Sequence, residues 1–165
     1  MKVVYRSADW DTPWWVQPNR GPGRFHTVNS LPTQYLSDHP LTVFAERLRH
    51  LGQAFVADLH TARWRCWAMK IEVTHLEVID FDNARSFGIS PDELVGDDWK
   101  PCQDLARRLR EEGVPGLVVP SAALPGTRNI VLFGPRVASP FLLGPVDLDI
   151  DVPTAHTAEE ATPPH

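Results

Sequence analysis

The order of apolar and polar positions divides the first third of the chain into strand, loop, strand and helix. Lys2–Ser7 (KVVYRS) is a β-rich run and predicts the first strand. Residues 8–33 follow neither a helical nor a strand period. They are rich in Pro, Gly, Asn and Trp, and predict a long ordered loop of the kind that often carries function. It contains Trp10, Trp14 and Trp15, then Gly21-Pro22-Gly23-Arg24-Phe25-His26. Thr33–Ser37 (TQYLS) predicts a second short strand. In the helix that follows, Asp38 is a candidate N-cap and Pro40 stands in the first turn. Leu41, Phe44, Ala45, Leu48 and Leu51 recur at helical spacing, and Gly52 closes the segment. Glu46 and Arg49 fall at the edge of that apolar stripe.

Residues 67–81 are rich in β-branched types, but their alternation breaks at Thr74-His75. They predict one long strand with a bulge, or two strands. Ser90-Pro91-Asp92-Glu93 has the form of a capping box and predicts a short helix. Residues 99–112 predict a longer one, with Leu105 and Leu109 inward, Arg107, Arg108 and Arg110 outward, and Gly113 at its end. The apolar runs GLVVP and NIVLF predict strands at 116–120 and 129–133, and 146–152 alternates as an edge strand would. The segment 153–165, made of Thr, Ala, Glu, Pro and His, predicts a disordered tail behind one domain over 1–152. Short strands that neighbour each other without helical crossovers give an α+β class and disfavour a doubly wound parallel sheet.

Composition narrows the function. At 165 residues with 42% hydrophobic and 22% charged positions, the chain suits one soluble domain. A net charge of −5 argues against non-specific nucleic-acid binding. No apolar run approaches a membrane span, no secretory signal is visible, and Cys66 and Cys102 belong to no CxxC pair. A cytoplasmic protein with two buried thiols and no metal site is the expectation. Thirteen of the sixteen basic residues are Arg, whose planar fork grips phosphate, although a GC-rich genome gives the same skew. No glycine-rich dinucleotide fingerprint or phosphate-cradling Lys-Ser/Thr loop is present.

Four stretches then stand out in order: Tyr5-Arg6-Ser7; Gly23-Arg24-Phe25-His26 with Thr33-Gln34-Tyr35-Leu36-Ser37 and Ala45-Glu46-Arg47; Gly96-Asp97-Asp98-Trp99 with Cys102-Gln103; and Pro120-Ser121-Ala122 with Arg128-Asn129 ahead of a VLF run. This ordered set resembles the RES domain, over roughly residues 3–136. The resemblance implies a fold similar to ADP-ribosyltransferases, with a split, mostly antiparallel sheet, flanking helices and an NAD cleft. It implies a toxin that destroys NAD by cleaving the nicotinamide–ribose bond, with water or phosphate as acceptor. It further implies control by a helix-turn-helix antitoxin of the Xre type, and is compatible with a homodimer inside such a complex.

The chemistry assigns roles. Departure of nicotinamide develops positive charge on the ribose, and a nearby carboxylate stabilises it; Glu46 is the candidate. Guanidinium groups suit the pyrophosphate, and Arg6 and Arg24 are the candidates. Tyr35, or Trp99, would hold the nicotinamide ring. Ser121 would bond a substrate hydroxyl or carboxamide, or hold Arg6 or Glu46 in place. Each has a plain alternative. Glu46 alone reads as a solvated helix residue paired with Arg49 or His50, Arg6 and Arg24 as surface cations, Tyr35 as core, and Ser121 as a turn former. The sequence departs from the family at Phe25-His26, where Trp-Asn is frequent, so the amide contact is replaced or lost. Two competing functions remain open: mono-ADP-ribosylation of a protein, and a non-catalytic interaction domain built on the tryptophans and the Pro-rich tail.

Overall fold

A computed structural model describes residues 2–8, 13, 21–51, 65–72, 74–134 and 141–146. The elements run β1 (Lys2–Ser7), β2 (Thr33–Ser37), α1 (Pro40–Leu51), β3 (Cys66–Ile71), β4 (Glu77–Val78), a 3-10 turn (Ala84–Phe87), α2 (Pro91–Val95), α3 (Lys100–Glu111), β5 (Gly116–Pro120), β6 (Arg128–Phe133) and β7 (Phe141–Val146). Seven strands form a sheet in the order β4-β5-β6-β2-β1-β3-β7. Every pairing is antiparallel except β4 with β5, so the α+β, mostly antiparallel expectation holds. The join between β1 and β2 is the weak point. They share one register pair, Tyr5↔Ser37, whereas β1 and β3 pair along their whole length. This is the split in the sheet, and α1 lies over it, packed against both β1 and β2.

Strand alternation feeds two apolar layers. Leu117, Val119 and Val131 turn to one face and meet Leu105, Ala106 and Leu109 of α3, with Phe25 and Leu94. Val118, Ile130 and Leu132 turn to the other, where they join Leu36, Val4, Met69 and Ile71. With both faces of β5 and β6 buried, their sequences are continuous apolar runs.

Several local expectations need correction. Of the two readings open for residues 67–81, two strands is the one found; the single bulged strand is not, because His75 at φ 65° separates β3 from β4 and the two lie far apart in the sheet. Asp38 does not cap α1. Its carboxylate accepts from the Arg128 N–H at 2.9 Å, tying the helix approach to β6, and His39 Nδ1 accepts the Leu41 N–H instead. The inward side of α1 is also rotated from the apolar stripe: Thr42 is 0% exposed and Leu41 44%. Polar partners for Glu46 lie under that side, as described below. Arg110 does not point outward. It donates to the Leu31 carbonyl and to Thr33, and its guanidinium lies 4.3 Å from the centre of the Phe133 ring.

The strand expected at 146–152 overlaps the observed β7 only at Val146, and residues 147–152 are outside the described set. Gly144-Pro145 hides β7 in the sequence. Proline is tolerated there because, among the described residues, β7 is an edge strand bonded only to β3. Trp10, Trp14, Trp15 and the tail 153–165 also lie outside the described residues. Among the described residues no helix is long and apolar enough to cross a membrane.

The capping box forms as expected: Ser90 Oγ accepts the Glu93 N–H at 3.2 Å, and Glu93 Oε2 accepts the Ser90 N–H at 2.8 Å. Ser90→Ala is therefore expected to cost about 1 kcal/mol in urea denaturation. An unchanged midpoint would show that burial of Leu94 alone holds α2.

Candidate active site

Glu46 lies in the middle of α1. Its Oε1 accepts a hydrogen bond from Ser121 Oγ at 2.8 Å and another from Asn129 Nδ2 at 2.5 Å. Among the described residues, Oε2 receives none. Ser121 is buried just after β5, and its hydroxyl also accepts the N–H groups of Ala123 and Leu124, each at 3.1 Å. The turn after β5 is thus wrapped around the hydroxyl that holds Glu46. Of the roles open to Ser121 from the sequence, this geometry is that of a carboxylate holder.

One turn along α1, Arg49 donates to the carbonyls of Ala122 and Val95, and to Asp97 Oδ1 at 2.6 Å. The ion pair and hydrogen bond to Arg49 hold the Asp97 carboxyl below the usual carboxylate range. Arg24 reaches the same turn from the other side: Nη1 donates to the Gly96 carbonyl at 2.6 Å and approaches that of Leu94 at 3.5 Å. These carbonyls end α2, where the helix leaves them unpaired. Two residues after Asp97, Trp99 meets the His50 ring edge-on at 5.9 Å. Glu46, Ser121, Arg24 and Trp99 are therefore linked around one joint between α1 and the segment 94–99.

Tyr35 supports this joint from behind. Its ring packs against the α3-side core. Its oxygen accepts the Phe25 N–H at 3.0 Å and lies 2.7 Å from His26 Nδ1. Burial pushes the phenol well above its usual range, so it stays protonated. Gln103 holds the same loop, donating to the Gly23 carbonyl at 2.9 Å and to that of His26 at 3.3 Å. A Cβ at position 23 would press on the His26 imidazole, so glycine leaves that ring room for its hydrogen bonds to Gly21 and Tyr35.

Arg6 stands apart. It shares its strand face with Val4, opposite to Tyr5 and Ser7, and its guanidinium donates to the Pro13 carbonyl. Burial lowers its pKa to about 10, so it remains cationic at neutral pH. Among the described residues it has no bond to the Glu46 group. Both cysteines are free and buried, and burial pushes the Cys66 thiol up to about 11.

The His26 contacts define its tautomer. The hydrogen bonds are all satisfied when Nε2–H donates to the Gly21 carbonyl at 3.0 Å and Tyr35 O–H donates to Nδ1. That imidazole is neutral, and burial lowers its pKa below the usual 6.5. A histidine with a depressed folded-state pKa leaves stability intact above the unfolded value. Stability is then lost as pH falls through 6.5 toward the folded value. The melting temperature of the parent chain is therefore expected to fall more steeply than that of His26→Gln between pH 7.5 and 5. Parallel curves would show that protonation of His26 leaves the loop unaffected.

The RES domain family model matches residues 3–151, and the chain belongs to this family. A Mycobacterium tuberculosis protein named probable NAD(+) phosphorylase Rv3189 is 28% identical over 118 residues. The alignment covers 72% of this chain and 56% of that protein, so the chain spans little more than half the length of this curated relative. The fold matches a chain in the crystal structure of the M. tuberculosis MbcT–MbcA toxin–antitoxin complex, with a TM-score of 0.71 and 24% identity. That match covers 97% of this chain and 88% of the other.

Three residues at the joint had no role in the sequence reading: Arg49, Gln103 and Asn129. Asn129 and Gln103 sit inside the motif blocks, but nothing in their spacing says whom they bond. Arg49 was visible only as an ordinary partner for Glu46 along the helix, whereas its side chain turns to 95–97 and 122.

Proposed function

We propose that this chain is the toxin of a toxin–antitoxin pair and degrades NAD+ by cleaving the nicotinamide–ribose bond, with phosphate as acceptor. Phosphate attack at the anomeric carbon releases nicotinamide and leaves ADP-ribose phosphate; water in place of phosphate leaves ADP-ribose. Family membership and the likeness to a probable NAD(+) phosphorylase support the substrate. The observation that carries the reading is the Glu46 carboxylate, fixed at Oε1 by Ser121 and Asn129 with Oε2 unbonded among the described residues. A charge held still beside the ribose stabilises the oxocarbenium-like state without reorganising.

In this reading Arg24 binds the pyrophosphate with the guanidinium face not spent on the 94–96 carbonyls. Arg6, on the Val4 face of β1 and bonded to the Pro13 carbonyl, makes no direct contact with the dinucleotide in this reading. Trp99 offers its ring to nicotinamide, and Tyr35 acts through the loop that carries Arg24. No metal takes part. The partner is a helix-turn-helix antitoxin of the Xre type that fills the cleft, and both proteins work in the cytoplasm.

The test is incubation of the purified chain with adenine-labelled NAD+, with and without phosphate. ADP-ribose phosphate that appears only with phosphate supports the proposal. ADP-ribose under both conditions makes the chain a hydrolase, and label on macromolecules makes it an ADP-ribosyltransferase. Unchanged NAD+ together with unimpaired growth on induction would leave an interaction domain.

A further inference from the structure

The Glu46 carboxylate is held by two donors, one of which has a support of its own. Asn129 is the second residue of β6 and pairs directly with Ser37 of β2. Ser37 is buried, and its Oγ lies 2.8 Å from Asn129 Oδ1. Protonation chemistry fixes the direction of this chain. An ionised carboxylate only accepts, so the Asn129 group facing Glu46 must be the amide NH2. The amide oxygen then faces Ser37, whose hydroxyl donates. Ser121 supplies the other hydrogen bond to the same oxygen, and its own acceptor capacity is filled by Ala123 and Leu124. Both donors therefore draw Oε1 into the protein.

From this geometry we infer that Asn129, oriented by Ser37, is a positioning residue that sets the rotation of the Glu46 carboxylate and keeps Oε2 for the ribose. This rests on the reading of Glu46 as the reacting carboxylate. Side-chain rotation about the last bond of a glutamate is soft. One donor fixes a distance; two donors on one oxygen, reaching from β6 and from the turn after β5, fix an angle. Ser37 acts only through Asn129, because its hydroxyl proton is committed to Oδ1.

The experiment measures NAD+ turnover by the purified chain and by Asn129→Ala, Ser37→Ala and the double variant, with melting temperatures for all four. Expected are a fall in kcat on the order of 10- to 100-fold for Asn129→Ala, with KM nearly unchanged, and a smaller fall for Ser37→Ala. The double variant should be no slower than Asn129→Ala alone, as required of residues in series. Additive losses in kcat, or kcat losses that simply track the melting temperature across the three variants, would overturn the inference, because weakening of the β2–β6 pair gives that result. Asn129→Ala lowers the melting temperature in either case, since it leaves buried Ser37 without its acceptor.

A second readout needs no turnover. The side-chain amide resonance of Asn129 should exchange slowly and shift when Glu46 is replaced by Ala. An amide indifferent to that change overturns the inference even in an active enzyme. A parent chain that leaves NAD+ intact while the amide still responds counts against the NAD reading, and not against the orientation of the carboxylate.

Discussion

Replacing Glu46 with Gln is expected to reduce NAD+ consumption roughly 100- to 1,000-fold and to abolish growth inhibition on induction, with melting temperature nearly unchanged. The substitution is close to a pure removal of charge. The carboxylate uses one oxygen, Oε1, for both Ser121 and Asn129. Gln keeps a carbonyl oxygen with two lone pairs, which can take that place and accept both hydrogen bonds. Its NH2 then falls where Oε2 stood, an atom with no bond among the described residues. The helix, the turn after β5 and the β2–β6 pair keep their contacts. Only the negative charge beside the developing cation is lost. Rates from separated nicotinamide, read beside a thermal melt, decide the matter. Retention of more than about a tenth of the parent rate would remove Glu46 from the chemistry. Glu46→Ala is a poorer probe, because it leaves Ser121 and Asn129 without an acceptor and costs stability as well.

The strands were legible where alternation or an apolar run coincided with a pair of sheet neighbours. β1 and β2 have their expected bounds, and β6 gains only Arg128. The helices were legible as elements but less so in their facing. Apolar spacing picked Leu41 and left Thr42 unremarked, because it ranks residues by hydrophobicity. The side of α1 that turns inward is chosen by Glu46, whose partners Ser121 and Asn129 lie 75 and 83 residues away. Arg110 was misjudged for the same reason: an arginine on a helix surface reads as solvated until Phe133 and the Leu31 carbonyl are brought beneath it. β7 escaped because Gly and Pro within a run normally argue against a strand, and only its edge position tolerates them.

For the site, the resemblance singled out Glu46 and Ser121, and the structure joins them by a hydrogen bond. The motif could not say that Arg24 and Arg49 meet on one turn, since backbone carbonyls leave no trace in a sequence. Nor could it say that Arg6 turns to Pro13.

The shared turn leads to the second large effect. Arg49→Ala is expected to lower stability by about 2 kcal/mol and kcat/KM for NAD+ by about 100-fold, whereas Asp97→Ala changes stability by less than about 0.5 kcal/mol. The Arg49–Asp97 ion pair is the obvious contact, at 2.6 Å, yet the Asp97 side chain is 93% exposed. Water and salt screen such a pair, and little of its Coulomb energy survives. The carbonyls are different. Ala122 is a buried residue next to Ser121, and its oxygen accepts from the guanidinium. Truncating Arg49 leaves that acceptor without its charged donor and releases the 95–97 turn from α1 together with it. Trp99 and the Gly96 carbonyl that anchors Arg24 ride on the same stretch, so slack there shifts both relative to Glu46. Arg49→Lys should recover only part of the loss, because a single ammonium cannot span three acceptors that a planar fork reaches at once. Urea unfolding of the three variants, alongside their kcat/KM values, separates the contributions. Equal destabilisation by Arg49→Ala and Asp97→Ala would place the energy in the surface pair and leave the carbonyl bonds with none.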